Sequence, residues 1–454
     1  MEKEDLVSKK MMYVSILFLI LAGCRTFLSE TKVTNTITPV IMSDTWTPGP
    51  TNNPGITITP TPTTPPPTDT PAVVGSPIGP NPTGVPSSSA PPLISGDEIT
   101  ITSIHMFTPE KGWAVGHQQG PVPRILLTKD AGRSWEDLTP PLVFSTQPYM
   151  IDLNPITFFW DQTTAWVLYT QEVIAGQPNT QRIWRTDDSG LTWTPSEPLP
   201  YPIDLLTGTP GQFFFLNPQQ GWFLSHSEIT HMHDYSNLFG TLDGGQTWLL
   251  VNQPGDSMIE TLVNTEMAYA NSNQGWMLKD SLGGFEPFLE VTWNAGYSWE
   301  QVDLPAPDGD WINLDRRCIG YDPVFFPDRS GAFLLNCVPY NDKIQTYDLE
   351  DTTSYIYRSN DFGYHWQIQE LPSTVTQLDY LDDQLGFALG RNHYRTRDGG
   401  ASWQLIKNVT WSGQFSFISS HEAWAVAREG DEIALVHTSD GGLTYEIIQP
   451  LIIK

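Results

Sequence analysis

One eight-residue pattern, Ser/Thr-x-Asp-x-Gly-x-Ser/Thr-Trp, recurs seven times along the chain and restricts the possible folds more than any other feature. The copies occupy 128–135, 186–193, 241–248, 292–299, 359–366, 396–403 and 438–445. Their acid position holds Asp130, Asp188, Asp243, Asn294, Asp361, Asp398 and Asp440. Three copies depart from the pattern, at Asn294, His365 and Tyr445. Each octad has the chemistry of a hairpin turn. A short carboxylate accepts hydrogen bonds from backbone N–H groups across a turn. The glycine supplies a positive φ, and the hydroxyls can satisfy nearby backbone groups. The closing aromatic then leads the outgoing strand and packs between neighbouring sheets. An aromatic at the same offset in every copy sets these octads apart from unrelated Asp-Gly turns.

A second element precedes each octad. It reads Gly112-Trp113, Ala165-Trp166, Gly221-Trp222, Gly275-Trp276, Gly331 with Phe333, Gly386-Phe387 and Ala423-Trp424, each followed by apolar residues. Before several of these lies an alternating strand, such as Ile99, Ile101 and Ile104. One repeat is therefore strand, turn, Gly-Trp strand, turn, strand, octad, Trp strand. Such a unit cannot bury its apolar faces alone, so neighbouring copies must stack. The expected fold is all-β: a seven-bladed β-propeller of four-stranded antiparallel blades spanning 96–454. The chain has 17 Trp, and the repeat positions absorb eleven of them, which are expected in the core. The octad acids are 37 to 67 residues apart, so blades five to six are lean and loops decorate others. The longest insertion, 303–356, holds Cys318 and Cys337. In an exported protein these two are expected to pair, which would stabilise the fold by about 3 kcal/mol.

The octads resemble the Asp-box, or sialidase-type (BNR) repeat. Combined with the Gly-Trp element, they resemble the propeller of the photosystem II stability/assembly-factor family. That resemblance covers about 96–454 and implies a propeller that binds a protein partner. The photosynthetic members use an Arg-rich face, and this chain has no evident counterpart: Arg391, Arg395 and Arg397 cluster, but Arg397 lies inside an octad. Sialidases share the repeat, yet their Arg-Ile-Pro motif is missing, and Arg124-Ile125 sits immediately before the first octad instead. Xyloglucan-type glucanases use two such propellers where this chain has one. In these families the repeat acids are structural, so the resemblance assigns no catalytic role to any of the seven.

The N-terminus reads as an address. Lys9 and Lys10 precede an apolar run over 11–22, which is 12 residues long. A membrane span needs about 20, so the run matches the apolar region of an export signal. It ends in Leu21-Ala22-Gly23-Cys24, which resembles the bacterial lipobox. The resemblance implies cleavage before Cys24 and lipidation of its thiol, with about 0.8 kcal/mol of membrane anchoring per buried CH₂. Residues 24–95 then form a lipidated Cys and a Thr/Pro-rich tether containing ITPTPTTPPPTDTP. Such a composition cannot build a core and is expected to be disordered. Fully extended, it would reach roughly 200 Å.

Charge narrows the partners. The formal net charge is −28, which repels phosphate backbones and anionic lipid surfaces, so nucleic-acid binding is not expected. The run around His226, His231, His233 and Asp234 could ligate a metal, and the acidic groups Asp308, Asp310 and Asp348, Glu350, Asp351 could hold Ca²⁺. Solvated loops account for both, so no metal or cofactor is expected. The expectation is a monomeric, non-enzymatic lipoprotein on the outer face of a bacterial membrane. Its propeller would bind an unknown protein or polysaccharide on one axial face. The alternative is an extracellular glycoside hydrolase working through axial carboxylates.

Overall fold

The computed structural model of the protein describes residues 87–88 and 92–453, except 119–121, 142–143, 146–154, 170–181, 201–210, 231–232, 253–264, 280–286, 308, 310, 312–315, 327, 342–345 and 372–373. The proposed signal segment, Cys24 and nearly all of the tether lie outside the described residues.

The chain forms seven antiparallel meanders, each of four strands in sequence order. Blade one comprises Thr100–Met106, Gly112–His117, Arg124–Thr128 and Ser134–Asp137. Blade seven comprises Ser412–Phe417, Ala423–Glu429, Glu432–Thr438 and Glu446–Ile448. The Gly-Trp element is always the second strand, and the octad always links the third strand to the outer one. Seven buried apolar clusters fill the seams, one between each blade and the next. The cluster joining Trp424, Val426 and Leu435 of blade seven to Ile101, Ile104 and Leu126 of blade one closes the ring. A sheet closed on itself in this way leaves few exposed strand edges.

Closure uses the C-terminal tail, which the sequence reading left open. Leu451–Ile452 runs parallel to the outer strand of blade one. The amides of Leu451 and Ile453 donate to the carbonyls of Arg133 and Trp135, both at 3.0 Å. On the tail's other side, Ile452 N donates to Asp97 O and Ile99 N donates to Pro450 O, both at 3.0 Å. The tail is thus threaded between the entry segment and the first blade, and Ile452 is buried.

The inner strands have no partner strand toward the axis, so their backbone groups need other partners. Glutamine side chains on the preceding blade supply several. Gln414 accepts from Ile104 N and donates to Ile104 O. Gln377 does the same for both backbone groups of Phe415, and Gln212 accepts from Met267 N.

Blade five is the exception in size. The 303–356 insertion goes partly into long inner strands, Arg316–Phe325 and Gly331–Asn341. Cys318 and Cys337 lie directly opposite each other on these strands and are bonded, with their Cα atoms 4.0 Å apart. The disulfide therefore belongs to the blade itself.

Candidate functional site

The propeller has two unlike faces. All seven octads share one face with the turns that link first and second strands. On this octad face each octad is braced by its own blade. The amides of Ala131, Ser189, Gly244, Ala295, Phe362, Gly399 and Gly441 donate to Glu110, Thr163, Gln219, Asn273, Arg329, Gln384 and His421, at 2.7 to 3.0 Å.

Inside the octads one bonding scheme repeats. The glycine amide donates to the first hydroxyl at 2.7 to 2.9 Å. That hydroxyl donates to the acid's Oδ1, which also accepts the amide of the second Ser/Thr at 2.8 to 3.0 Å. The second hydroxyl donates to Oδ2 at 2.6 Å in five copies. In the two departures the scheme survives: Asn294 Nδ2 donates to Ser298 Oγ at 2.9 Å, and His365 Nδ1 lies 2.6 Å from Asp361 Oδ2. The Ser402 hydroxyl and amide and the Thr396 hydroxyl draw Asp398 down to about 2. Burial pushes Asp440 up, but Thr444 and Thr438 outweigh it and bring it down to about 2 as well. These carboxylates stay ionised and are used up in bonds to their own turn.

Two consecutive residues, rather than the glycine alone, adopt positive φ. The residue before the octad glycine has φ between 63° and 76°, and in four copies it is Ala131, Ser189, Ala295 or Phe362. A left-handed non-glycine residue costs about 1–2 kcal/mol, which the five or more hydrogen bonds of each octad offset.

The Gly-Trp indoles reach across the seams. Trp166 Nε1 donates to Gly244 O at 2.8 Å, Trp222 Nε1 to Ala295 O at 3.0 Å and Trp276 Nε1 to Phe362 O at 2.9 Å. Each acceptor belongs to the octad of the next blade. Trp113 instead reaches Asp161 O, in the brace turn of blade two. Blades five and six carry Phe333 and Phe387, which have no donor. There the arginine just before the blade's own octad extends to the next one: Arg358 Nη1 lies 3.5 Å from Gly399 O, and Arg395 points its Nη1 toward Gly441. Arg395 is thus directed toward the seam. Arg124, before the first octad, pairs with Asp137 at 3.5 Å.

The opposite face, here the loop face, gathers the links between second and third strands and those between blades. The longest connections join described strand ends on this face. In the lean blade six, Gly386–Gly390 passes to Asn392–Thr396 through Arg391 alone. Several described side chains on this face are paired. Lys279 is bonded to Glu290, both buried, and burial lowers the lysine while Glu290 partly restores it. Arg316 Nη1 donates to Tyr355 Oη at 3.0 Å with its guanidinium over the ring. Asp348 caps the short helix Leu349–Asp351 by accepting from Glu350 N. His226, His233 and Asp234 lie on the long hairpin of blade three, and their side chains, with His231, Asp308 and Asp310, are outside the described residues. Among the described residues no group of three or more His, Cys, Asp or Glu is placed to hold a metal.

No family model matches the chain, and no curated protein sequence does. Among solved structures it is similar to the GH74 xyloglucanase from Xanthomonas campestris, with 14% identity and a TM-score of 0.49 over 79% of this chain and 54% of that one. The chain thus spans about half the length of that enzyme. It is also similar to a puromycin-hydrolyzing peptidase of Mycobacterium tuberculosis (11% identity, TM-score 0.48, covering 78% and 53%) and to the polysaccharide lyase Uly1 (9%, 0.46, covering 75% and 90%). Enzymes of such different chemistry, at these identities, give no guide to activity.

Proposed function

We propose that this chain is a lipid-anchored surface protein of the Asp-box type, resembling the photosystem II assembly-factor propellers, whose loop face binds a protein or polysaccharide partner without chemical turnover. The observation that carries this reading is the asymmetry of the two faces. The octad face is fixed by the same bonds seven times over, while length variation concentrates on the loop face. Binding surfaces are commonly built this way, from variable loops on a rigid scaffold. A second support is electrostatic. The six octad Asp carboxylates are all displaced downward by bonds to their own turns. A general acid for glycoside cleavage needs the reverse.

The test uses the full chain carrying Cys24→Ala, which should move from the membrane to the soluble fraction. The soluble protein is mixed with extracted surface polysaccharide and with solubilised envelope protein. Saturable capture is expected, and it should be lost when the loop-face connections of blades two to four are shortened to the length found in blade six. Sustained release of reducing sugar, or capture of polysaccharide and of envelope protein both indifferent to loop length, would overturn the reading.

A further inference from the structure

The seven octads serve as controls for one another. Two positions in each lie outside the repeated bonding scheme: the residue after the first hydroxyl, and the one between the glycine and the second hydroxyl. At these positions octads one, two, three, six and seven hold Lys129 and Arg133, Asp187 and Leu191, Leu242 and Gln246, Arg397 and Ala401, and Ser439 and Leu443. None of these is aromatic. Octads four and five, which are neighbours in the ring, hold Trp293, Tyr297 and Tyr364. These three rings are 39%, 64% and 58% exposed. Trp293 and Tyr364 come from different blades, yet their rings are nearly parallel, 20° apart with centroids 5.8 Å apart. That separation is an offset stack, so each ring leaves part of a face open. Two large exposed aromatics aligned across a seam are not needed to build either turn.

We infer that Trp293 and Tyr364 form a carbohydrate-binding patch on the octad face at the seam of blades four and five, suited to a neutral pyranose chain. This site is distinct from the loop face and stands independently of the role proposed for it. Three observations select the ligand. The patch is aromatic with no aliphatic contribution from the two octads, and the axial C–H groups of a pyranose are electropositive partners for ring faces. The two rings expose roughly 200–250 Å², well short of the roughly 800 Å² per partner of a stable protein interface. The net charge of −28 turns away uronates, sulfated polymers and anionic lipid.

The test is affinity electrophoresis of the full-length Cys24→Ala protein through gels holding xyloglucan, glucomannan, mixed-linkage β-glucan or dextran, with alginate and a proline decamer as competitors. Retardation by at least one neutral polysaccharide is expected. The double variant Trp293→Ala/Tyr364→Ala should weaken it at least about tenfold, with an unchanged thermal midpoint. Leu191→Ala/Leu443→Ala, which removes exposed apolar side chains at equivalent positions, should leave it intact, and so should the loop-shortened variants. The inference is overturned by absence of retardation in all four gels, by equal retardation of the aromatic double variant, or by stronger competition from alginate or the proline decamer than from neutral oligosaccharide. Any of these results leaves the loop-face reading standing, and loss of loop-face capture leaves the patch standing.

Discussion

Trp424 in blade seven donates its indole N–H to the carbonyl of Ala131 in blade one, at 3.0 Å and across 293 residues of sequence. The same indole is fully buried in the cluster that closes the ring. Ala131 is itself the left-handed residue of the first octad, so one bond ties the last seam to the first turn. Trp424→Phe keeps an aromatic side chain, with some loss of volume, and removes the donor, which leaves a carbonyl unsatisfied. The expected loss is about 1–3 kcal/mol, read as a lower urea midpoint with an unchanged slope. Trp403→Phe is the control, because the Trp403 indole N–H has no hydrogen-bond partner among the described residues. It should cost less than Trp424→Phe.

The tail makes a second seam contact that can be removed cleanly. Ile452 is 1% exposed and sits in the same closing cluster. Ile452→Ala should cost about 2–5 kcal/mol by cavity formation. Truncation after Gln449 also removes the bonds to Arg133, Trp135, Asp97 and Ile99, and should cost more. Thermal unfolding should rank parent, Ile452→Ala and truncation in that order, and limited proteolysis should cut blade one first in the truncated chain.

Two buried histidines set an acid limit on stability. Burial lowers His105 from 6.5 to about 3, and His393 from 6.5 to about 4. Both have depressed folded values, so the unfolded chain takes up their protons first. Their contribution is complete above pH 6.5 and is lost as pH falls through the window down to about 3. His105→Leu should therefore flatten the stability profile in that window, by about 1.4 kcal/mol per pH unit at its steepest. Protonation of carboxylates relieves the −28 charge in both proteins alike, so the difference between their urea midpoints isolates the histidine. Parallel profiles would refute the assignment.

The Cys318–Cys337 bond closes a separation of 19 residues in the inner strands of blade five. Cys318→Ser/Cys337→Ser should lower stability by about 2–4 kcal/mol, and reductant should shift the parent to the variant's midpoint while leaving the variant unmoved.

Much of this architecture can be read from the sequence, because the octads and Gly-Trp strands specify both the turn and the alternation of each blade. What escapes the reading depends on backbone or on distant partners. The brace acceptors Glu110, Thr163 and Gln219 act through carbonyls that any residue would supply. Gln212, Gln377 and Gln414 look like ordinary polar positions of a strand until the inner edge of the next blade lies beside them. Arg185 and Arg358 gain their role only once the octad of the next blade lies beside them. The short tail looks like one more outer strand, and only three-dimensional closure shows that it serves blade one. Trp293 and Tyr364 sit where the octad pattern is silent, and their juxtaposition requires two blades to be adjacent.

The account rests on the octad acids acting as turn locks. Asp130 accepts from the Ser134 amide and hydroxyl and from the Thr128 hydroxyl, and at the equivalent place Asn294 already does this work with an amide. The most direct test is equilibrium unfolding of Asp130→Asn beside Asp130→Ala, followed by partner capture where both are folded. The account predicts that Asn stays within about 1 kcal/mol of the parent, that Ala loses about 2 kcal/mol or more, and that capture is the same for both. Equal stability of the two variants, or capture abolished by the stable Asn substitution, would contradict it.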